Sequence, residues 1–260
     1  MPVFASTNRL VRLSLSVAAL VVLGACAAQQ LDTAERSDGI YDPYEVQNRK
    51  VHKFNKALDK NLIGPSARRF ARVVPAEVRL SFNNISDNLS MPAVAVNSLL
   101  QGDLRGAGLA TARFAINSVI GIGGIADAAD EFDVPEHETD FGETLAVWGV
   151  GEGAYVELPL FGPSTQRDTV GRVVDGFTNP LTYNLDSPEK YYKPTFDYLA
   201  RVNDRARYDD TINSILYDSA DSYAQARLIY LQNSRFKLGK SSDNGSLDPY
   251  QDPYEDPYAQ

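Results

Sequence analysis

The chain has 260 residues, of which 34 are acidic and 25 are basic, so its formal net charge is −9. An acidic total of this size argues against a nucleic-acid partner. The single cysteine excludes an intrachain disulfide, a cysteine-rich metal site and a dithiol redox pair. The length is sufficient for one sizeable hydrophobic core.

The first 25 residues have the pattern of an export signal. Arg9 and Arg12 precede an apolar run from Leu13 to Ala25, which is shorter than the ~20 residues of a membrane-spanning helix. We therefore expect residues 1–25 to be a signal peptide that is removed after export.

The signal ends in Leu23-Gly24-Ala25-Cys26, which resembles the lipobox of bacterial lipoproteins. That resemblance implies that Cys26 becomes the N-terminus and carries an S-diacylglycerol and an N-acyl chain, while we expect no other cofactor. Each buried CH₂ of these chains contributes ~0.8 kcal/mol to membrane attachment. By the bacterial sorting pattern, Ala27 in place of aspartate implies the outer membrane. The alternative is a buried or chance cysteine behind an ordinary signal.

Three segments follow the signal. Residues 26–40 are polar and are predicted to form a tether, and residues 41–238 are predicted to form one helical body. Residues 239–260 form an acidic tail in which Asp-Pro-Tyr occurs three times. Prolines at this density disfavour helix and sheet, so we expect the tail to be disordered.

The first predicted helix runs from Pro43 to Leu62. Asp42-Pro43-Tyr44-Glu45 has the pattern of an N-cap, a first-turn proline and a capping-box glutamate. One face is apolar, with Val51, Phe54, Leu58 and Leu62, and the opposite face is basic, with Arg49, Lys53, Lys56 and Lys60. Such a helix either lies against lipid headgroups or covers an ordinary core.

The remaining elements are mostly helical, so the fold class is predicted to be all-α. Capping residues and apolar spacing predict helices over 65–72, 78–89, 92–102, 103–120, from Ser164 onward, over 188–209 and over 221–236. Strand signals allow at most one short hairpin, pairing 146–150 with 154–158.

The segment from Gly106 to Ala126 carries one charge, that of Arg113. A helix over 104–120 would be ~25 Å long, which is short of a ~30 Å hydrocarbon layer. The helix is therefore expected to lie in a core or within one leaflet. Arg113 either contacts phospholipid phosphate along a lipid path, ion-pairs with one of the acids in 127–143, or extends to the headgroup layer.

The residues for catalysis are few. His52 and His137 are the two histidines, and both are expected on the solvated surface, so no nucleophile–histidine–acid site is predicted. The glycines at 121–124 and 149–153 lack the spacing of dinucleotide and phosphate loops. The acids at 127–143 lack the spacing of a calcium loop. We expect neither an enzyme nor a metal site.

Several motifs between residues 41 and 236 resemble the MlaA (VacJ) family of outer-membrane lipoproteins. The motifs are Asp42-Pro43, Asn48-Arg49, Phe54-Asn55, Leu58-Asp59, Asn97-x-Leu-Leu-Gln101-Gly102, Arg113-Phe114-x-x-Asn117-Ser118, Asp140-Phe141-Gly142, Trp148-Gly149-Val150-Gly151-x-Gly153-x-Tyr155, Gly162-Pro163-Ser164 and Asp221-Ser222-Tyr223.

The resemblance implies a ring of amphipathic helices lying within the periplasm-facing leaflet of the outer membrane. It also implies a central amphipathic channel that takes mislocalised phospholipids from the outer leaflet to a soluble periplasmic carrier, MlaC, and an association with trimeric porins. The residues expected on the lipid path or in membrane contact are Arg113, Asn55, Asn117, Trp148 and Tyr155. The basic residues expected at headgroups are Arg49, Lys53, Lys56 and Lys60. Two alternatives are a structural lipoprotein that scaffolds envelope complexes and a lipid-modifying hydrolase.

Overall fold

The computed structural model describes residues 40–181 and 188–239. The predicted signal peptide, Cys26, the tether up to residue 39 and the tail from residue 240 lie outside the described residues. Ile40, which we assigned to the tether, is buried with Tyr155, Tyr223 and Leu231. The folded body therefore includes the last residue of the predicted tether.

The described body is built of helices with one short hairpin, so the predicted fold class is confirmed. The elements in chain order are α1 Glu45–Leu58, a π-helical turn Asp59–Ile63, α2 Gly64–Val73, α3 Ala76–Gln101, α4 Leu104–Val119, α5 Ala128–Glu131, α6 Phe141–Val147, β1 Tyr155–Leu158, β2 Gly162–Thr165, α7 Gln166–Thr178, a 3-10 turn Glu189–Tyr191, α8 Tyr192–Arg207, α9 Asp209–Asn213, a π-helical turn Ser214–Asp218 and α10 Ser222–Lys237.

The longest described helix, α3, replaces two predicted ones. We expected a break at Pro92, but α3 continues through it for 26 residues. It ends at Gly102, whose φ of 77° reverses the chain, and the Asp103 side chain then accepts a hydrogen bond from the Gly106 amide to open α4. This short connection packs α4 directly against α3.

A hairpin is present, but the predicted strand at 146–150 is wrong, and the segment 155–158 pairs with 162–165 instead. β1 pairs antiparallel with β2, so that Tyr155 lies opposite Thr165 and Leu158 opposite Gly162. Residues 146–147 belong instead to α6, which begins where the Asp140 side chain accepts from the Glu143 amide. The start of α7 also differs, because Thr165 is its N-cap.

The helices pack against one another in several pairs. α3 packs against α4 and α8, α8 packs against α2, α6 packs against α7, and α1 packs against β1. Buried apolar side chains form small clusters, one of which contains Met91, Val94 and Ala110. Within the described ranges, no helix combines the length and the apolar character needed to cross a bilayer.

Candidate functional site

The interior of the body is unusually polar. Among the described residues, more polar and charged side chains than apolar ones are buried. On α1 the buried residues are Asn48 and His52, and Asp59 is buried in the turn that follows, whereas Phe54 is 53% exposed and Leu62 is 58% exposed. The inward face of the predicted amphipathic helix is therefore the polar one. Phe54 and Leu62 of the predicted apolar face are exposed, and Val51 and Leu58 are half-buried, so this face does not cover an ordinary core.

Asn48 shows how this polar interior is satisfied. Its Nδ2 donates to the Asp42 carboxylate at 2.9 Å and to the Tyr155 carbonyl at 3.1 Å, and its Oδ1 accepts from the Glu157 amide at 3.0 Å. One amide side chain thereby joins α1 to β1. A buried amide with these partners avoids the cost of an unpaired polar group.

His52 lies in the same network, which corrects our expectation of a solvated surface residue. It is 4% exposed, with Nδ1 3.2 Å from Glu157 Oε1 and Nε2 3.1 Å from Ser222 Oγ. The Tyr155 hydroxyl donates to the second oxygen of the same glutamate. The imidazole therefore connects α1 with β1 and with the start of α10.

His137, in contrast, keeps partial solvent contact. Its side chain is 27% exposed and its Nε2 lies 3.5 Å from Asp103 Oδ2.

Asp42 is also buried rather than capping a helix. The N-cap position of α1 belongs to Tyr44, and no side chain hydrogen-bonds there. The Asp42 carboxylate instead accepts from the Tyr223 hydroxyl and from Arg227 Nη1, the latter at 2.6 Å. Burial and this carboxylate both raise the pKa of Tyr223, so the phenol stays protonated and donates.

Arg113 forms an ion pair with one of the acids in 127–143, which was one of the three alternatives from the sequence. Arg113 is 4% exposed, and its Nη2 lies 2.6 Å from Asp127 Oδ2. Its Nη1 donates to the Val134 carbonyl. Two of its nitrogens are therefore engaged by protein groups, which is what the ion-pair alternative predicts.

Three of the other residues expected on the lipid path also have structural partners. Asn117 donates to Asp127 and accepts from the Ala129 amide. Asn55 donates to the Leu158 carbonyl and accepts from the Leu160 amide, both at 2.9 Å. Tyr155 is 1% exposed. Asn117 and Tyr155 are buried and Asn55 is half-buried, and all three make contacts that position the polypeptide.

Trp148 is the expected contact residue that lies at the surface. Its side chain is 54% exposed, while its Nε1 donates to the Leu100 carbonyl at 3.0 Å. The ring also meets Phe141 edge to face, with centroids 5.8 Å apart. An exposed indole whose N–H is already satisfied by protein suits an apolar surrounding.

The four basic residues of α1 and its extension divide into two groups. Arg49 forms a two-point contact with Asp221 and a further bond with Glu45, and Lys56 is half-buried with its Nζ 5.4 Å from the Tyr217 ring centre. Lys53 and Lys60 are exposed. The Arg49 hydrogen bonds lower the pKa of Asp221 to about 2.

A buried ion pair between Asp59 and Arg205 was missed at the sequence level. Arg205 donates to both carboxylate oxygens, at 2.7 and 2.8 Å, which ties the end of α1 to α8. Burial raises the pKa of Asp59, but the bonds from Arg205 and from the Tyr217 hydroxyl outweigh it and the net pKa is lowered. No local pattern indicates this pair, because Arg205 lies 146 residues away from Asp59 in the chain.

Asp87 on α3 has a different environment. Asp87 is exposed, yet desolvation by neighbouring protein groups, together with the negative potential of Glu138 and Glu136, raises the pKa of its carboxyl to about 6. Glu136 and Glu138 belong to the loop before α6, so charges from a distant part of the sequence raise the pKa of this carboxyl.

The outer surface of the body is rich in exposed apolar side chains. They occur on α1, at the end of α3, at the end of α4 and in the turn after it, in the hairpin turn and on α7. In chain order they are Phe54, Leu99, Leu100, Val119, Ile120, Ile122, Ile125, Leu160, Phe161, Val173 and Phe177. Exposed apolar side chains in this number are typical of a surface that contacts a partner or lipid.

Comparison with known proteins identifies the family. A sequence model described as MlaA lipoprotein matches residues 40–237. The chain is 34% identical over 244 residues to the intermembrane phospholipid transport system lipoprotein MlaA of Escherichia coli (strain K12), with 92% of each sequence covered. It is 31% identical over 213 residues to the protein of the same name from Haemophilus influenzae, covering 79% of this chain and 80% of that one.

A solved structure has the same fold. It was determined in work on the maintenance of bacterial outer membrane lipid asymmetry, and it matches with a TM-score of 0.66 and 31% identity over 76% of this chain and 98% of the other. The chain belongs to the MlaA lipoprotein family.

Proposed function

We propose that this protein is an outer-membrane lipoprotein that removes mislocalised phospholipids from the outer leaflet and passes them to a periplasmic carrier similar to MlaC. Family membership supports the proposal, since related proteins are named as lipoproteins of an intermembrane phospholipid transport system. The observation that carries it is the inverted arrangement of side chains, with polar residues inside and apolar residues outside.

The inverted arrangement suits a body embedded in the periplasm-facing leaflet. Hydrocarbon covers exposed residues such as Phe54 and Leu62 at no cost, whereas water would not. The acyl chains on Cys26 hold the protein at that leaflet, and Lys53 and Lys60 meet anionic headgroups.

The proposed path is an amphipathic channel through a ring of helices. A phospholipid that crosses hydrocarbon needs polar groups along the path of its headgroup, because an unpaired charge there costs several kcal/mol. The transfer breaks no covalent bond, so the protein acts without catalysis and without a cofactor beyond its own acyl chains. Its partners are phospholipids, the carrier and a trimeric porin.

Co-purified lipid tests the proposal. The lipoprotein is extracted in mild detergent and its non-covalent lipid is analysed by mass spectrometry, with an unrelated outer-membrane lipoprotein as control. We expect phospholipid in stoichiometric amount with this protein and not with the control. Equal trace amounts in both samples would favour the alternative of a structural envelope lipoprotein.

A further inference from the structure

His52 lies between a hydroxyl and a carboxyl group that come from two other parts of the chain. Its Nε2 is 3.1 Å from Ser222 Oγ, and its Nδ1 is 3.2 Å from Glu157 Oε1. A serine, a histidine and an acid in this order form the arrangement in which the imidazole takes the serine proton while the acid orients the ring. Such a site was not expected from the sequence, because neither partner is close to His52 in the chain.

The acid and the imidazole ring are fixed by protein contacts. Glu157 is 3% exposed, and its Oε2 accepts from the Tyr155 hydroxyl, which leaves Oε1 facing the imidazole. The His52 ring packs edge to face against Tyr223, with centroids 5.7 Å apart. When its hydrogen is on Nδ1, facing the acid, the imidazole presents an unprotonated Nε2 to Ser222. A general base that activates a serine requires this orientation.

Ser222 is the member of this group that is accessible from outside. It is half-buried in the first turn of α10, whereas His52 is 4% exposed. Lys56 Nζ donates to the Ser222 Oγ at 3.4 Å, and because an ammonium group can only donate, the hydroxyl hydrogen remains available to His52. Addition of a serine to a carbonyl places negative charge on the carbonyl oxygen, and a cation beside the serine stabilises that charge.

The side of α10 that carries Ser222 suits the acyl ester of a lipid. Ala226 and Ile229 follow Ser222 at spacings of four and three residues, which places all three on one side of the helix. Ala226 is half-buried and Ile229 is 43% exposed, so apolar side chains lie along the helix next to the hydroxyl. Glycerophospholipids are the acyl esters that the protein is proposed to carry, and the substrate class therefore rests on the proposed function.

We propose that Ser222, His52 and Glu157 form a catalytic site that hydrolyses a carboxylic ester of glycerophospholipids, in addition to lipid transfer. Ser222 Oγ bonds to the ester carbonyl carbon while His52 takes its proton, and the lysophospholipid leaves as an alcohol with that proton. Water then adds to the acyl carbonyl and gives one proton to His52. The bond from Ser222 to the acyl group breaks, the fatty acid is released and the serine oxygen recovers the proton from His52. The reaction needs no reagent besides water.

A fluorophosphonate probe tests the nucleophile in the full-length lipoprotein in mild detergent. The phosphorus of the probe bonds to a serine oxygen that a histidine activates, and fluoride leaves. We expect mass spectrometry of the digested protein to place the adduct on Ser222, and we expect no adduct on this peptide in Ser222→Ala. Ser219→Ala is the matched control and should be labelled like the wild type, because Ser219 is also half-buried but donates to the Ile215 carbonyl.

Two further measurements test the base and the substrate. His52→Gln should slow labelling on the order of a hundredfold, and if thermal unfolding shows that it does not fold, Glu157→Gln, which keeps an acceptor for the Tyr155 hydroxyl, should slow labelling instead. With phosphatidylethanolamine in mixed micelles, the wild type should release fatty acid and Ser222→Ala should not.

Three results would overturn the proposal. They are the absence of an adduct on Ser222, labelling of the folded His52 or Glu157 variant at the wild-type rate, and labelling without release of fatty acid. Ester hydrolysis in micelles needs no carrier and no second membrane, so failure of this proposal is distinguishable from failure of lipid transfer.

Discussion

The Nη2 atom of Arg113 lies 2.6 Å from Oδ2 of Asp127, and this ion pair joins α4 to the N-cap of α5. The arginine is almost completely buried, whereas the Asp127 side chain is 27% exposed. The single charge in an otherwise apolar segment is therefore used to fix the chain after α4. The same carboxylate also accepts from Asn117, so two polar residues of α4 share one acid.

We expect Arg113→Leu to lower the free energy of unfolding by about 2–3 kcal/mol, because it leaves Asp127 without its buried partner. Arg113→Lys keeps the charge but has a single nitrogen, which cannot reach both Asp127 and the Val134 carbonyl, so it should recover part of the loss. Urea titration of the detergent-solubilised protein measures both. Asp127→Asn is the matched control, and its effect should not add to that of Arg113→Leu. If Arg113→Leu is as stable as the wild type but transfers lipid poorly, Arg113 lies on the lipid path instead.

Cys26→Ser should prevent acylation and leave an uncleaved or soluble form, because no thiol then remains to receive the diacylglycerol. Mass spectrometry of the mature N-terminus and fractionation of the envelope measure this. Ala25→Ser, which keeps a small residue before the cysteine, is the control and should be processed normally. A normally acylated and sorted Cys26→Ser protein would refute the lipobox assignment.

The two exposed lysines of α1 and its extension should carry the headgroup contact of that region. Replacement of both Lys53 and Lys60 by Gln should weaken binding of the non-acylated chain to anionic vesicles on the order of thirtyfold at low salt, since each basic residue near the surface contributes about 1 kcal/mol. The effect should shrink as salt rises. Glutamate at both positions should weaken binding further, and unchanged binding would show that α1 does not face headgroups.

Asp87 should make stability depend on pH between about 4 and 6. Its folded pKa is raised to about 6, so the folded state binds the proton more tightly than the unfolded chain and stability rises as pH falls through this window. Asp87→Asn should reduce that dependence, to which Glu143 and Asp175 also contribute, and should stabilise the protein at pH 7. Thermal unfolding across pH 4–7 measures it, with Asp210→Asn as an exposed control. Parallel pH profiles for Asp87→Asn and the parent would contradict the assignment.

Local signals in the sequence were sufficient for much of the helical fold. Asp103 and Asp221 each precede a helix that they cap with their own side chains, and such caps depend on the next few residues alone. The break expected at Pro92 failed because packing of α3 against α4 and α8 supports the helix through the proline.

Local sequence signals could not predict which face of each helix points into the body. Helical spacing shows which residues share a face, but it does not show whether water, protein or lipid covers that face. The partners of His52 are also 105 and 170 residues away in the chain. No local pattern indicates such a contact, so the histidine was expected at the surface.

The most direct test of the central claim is the amount of phosphatidylethanolamine in the outer leaflet of cells that lack this protein. An amine-reactive reagent that does not cross the membrane labels that lipid on intact cells. We predict that labelling rises when the protein is removed and returns to the starting level when the wild-type chain is restored. Labelling that stays at the starting level without the protein would contradict a role in phospholipid removal.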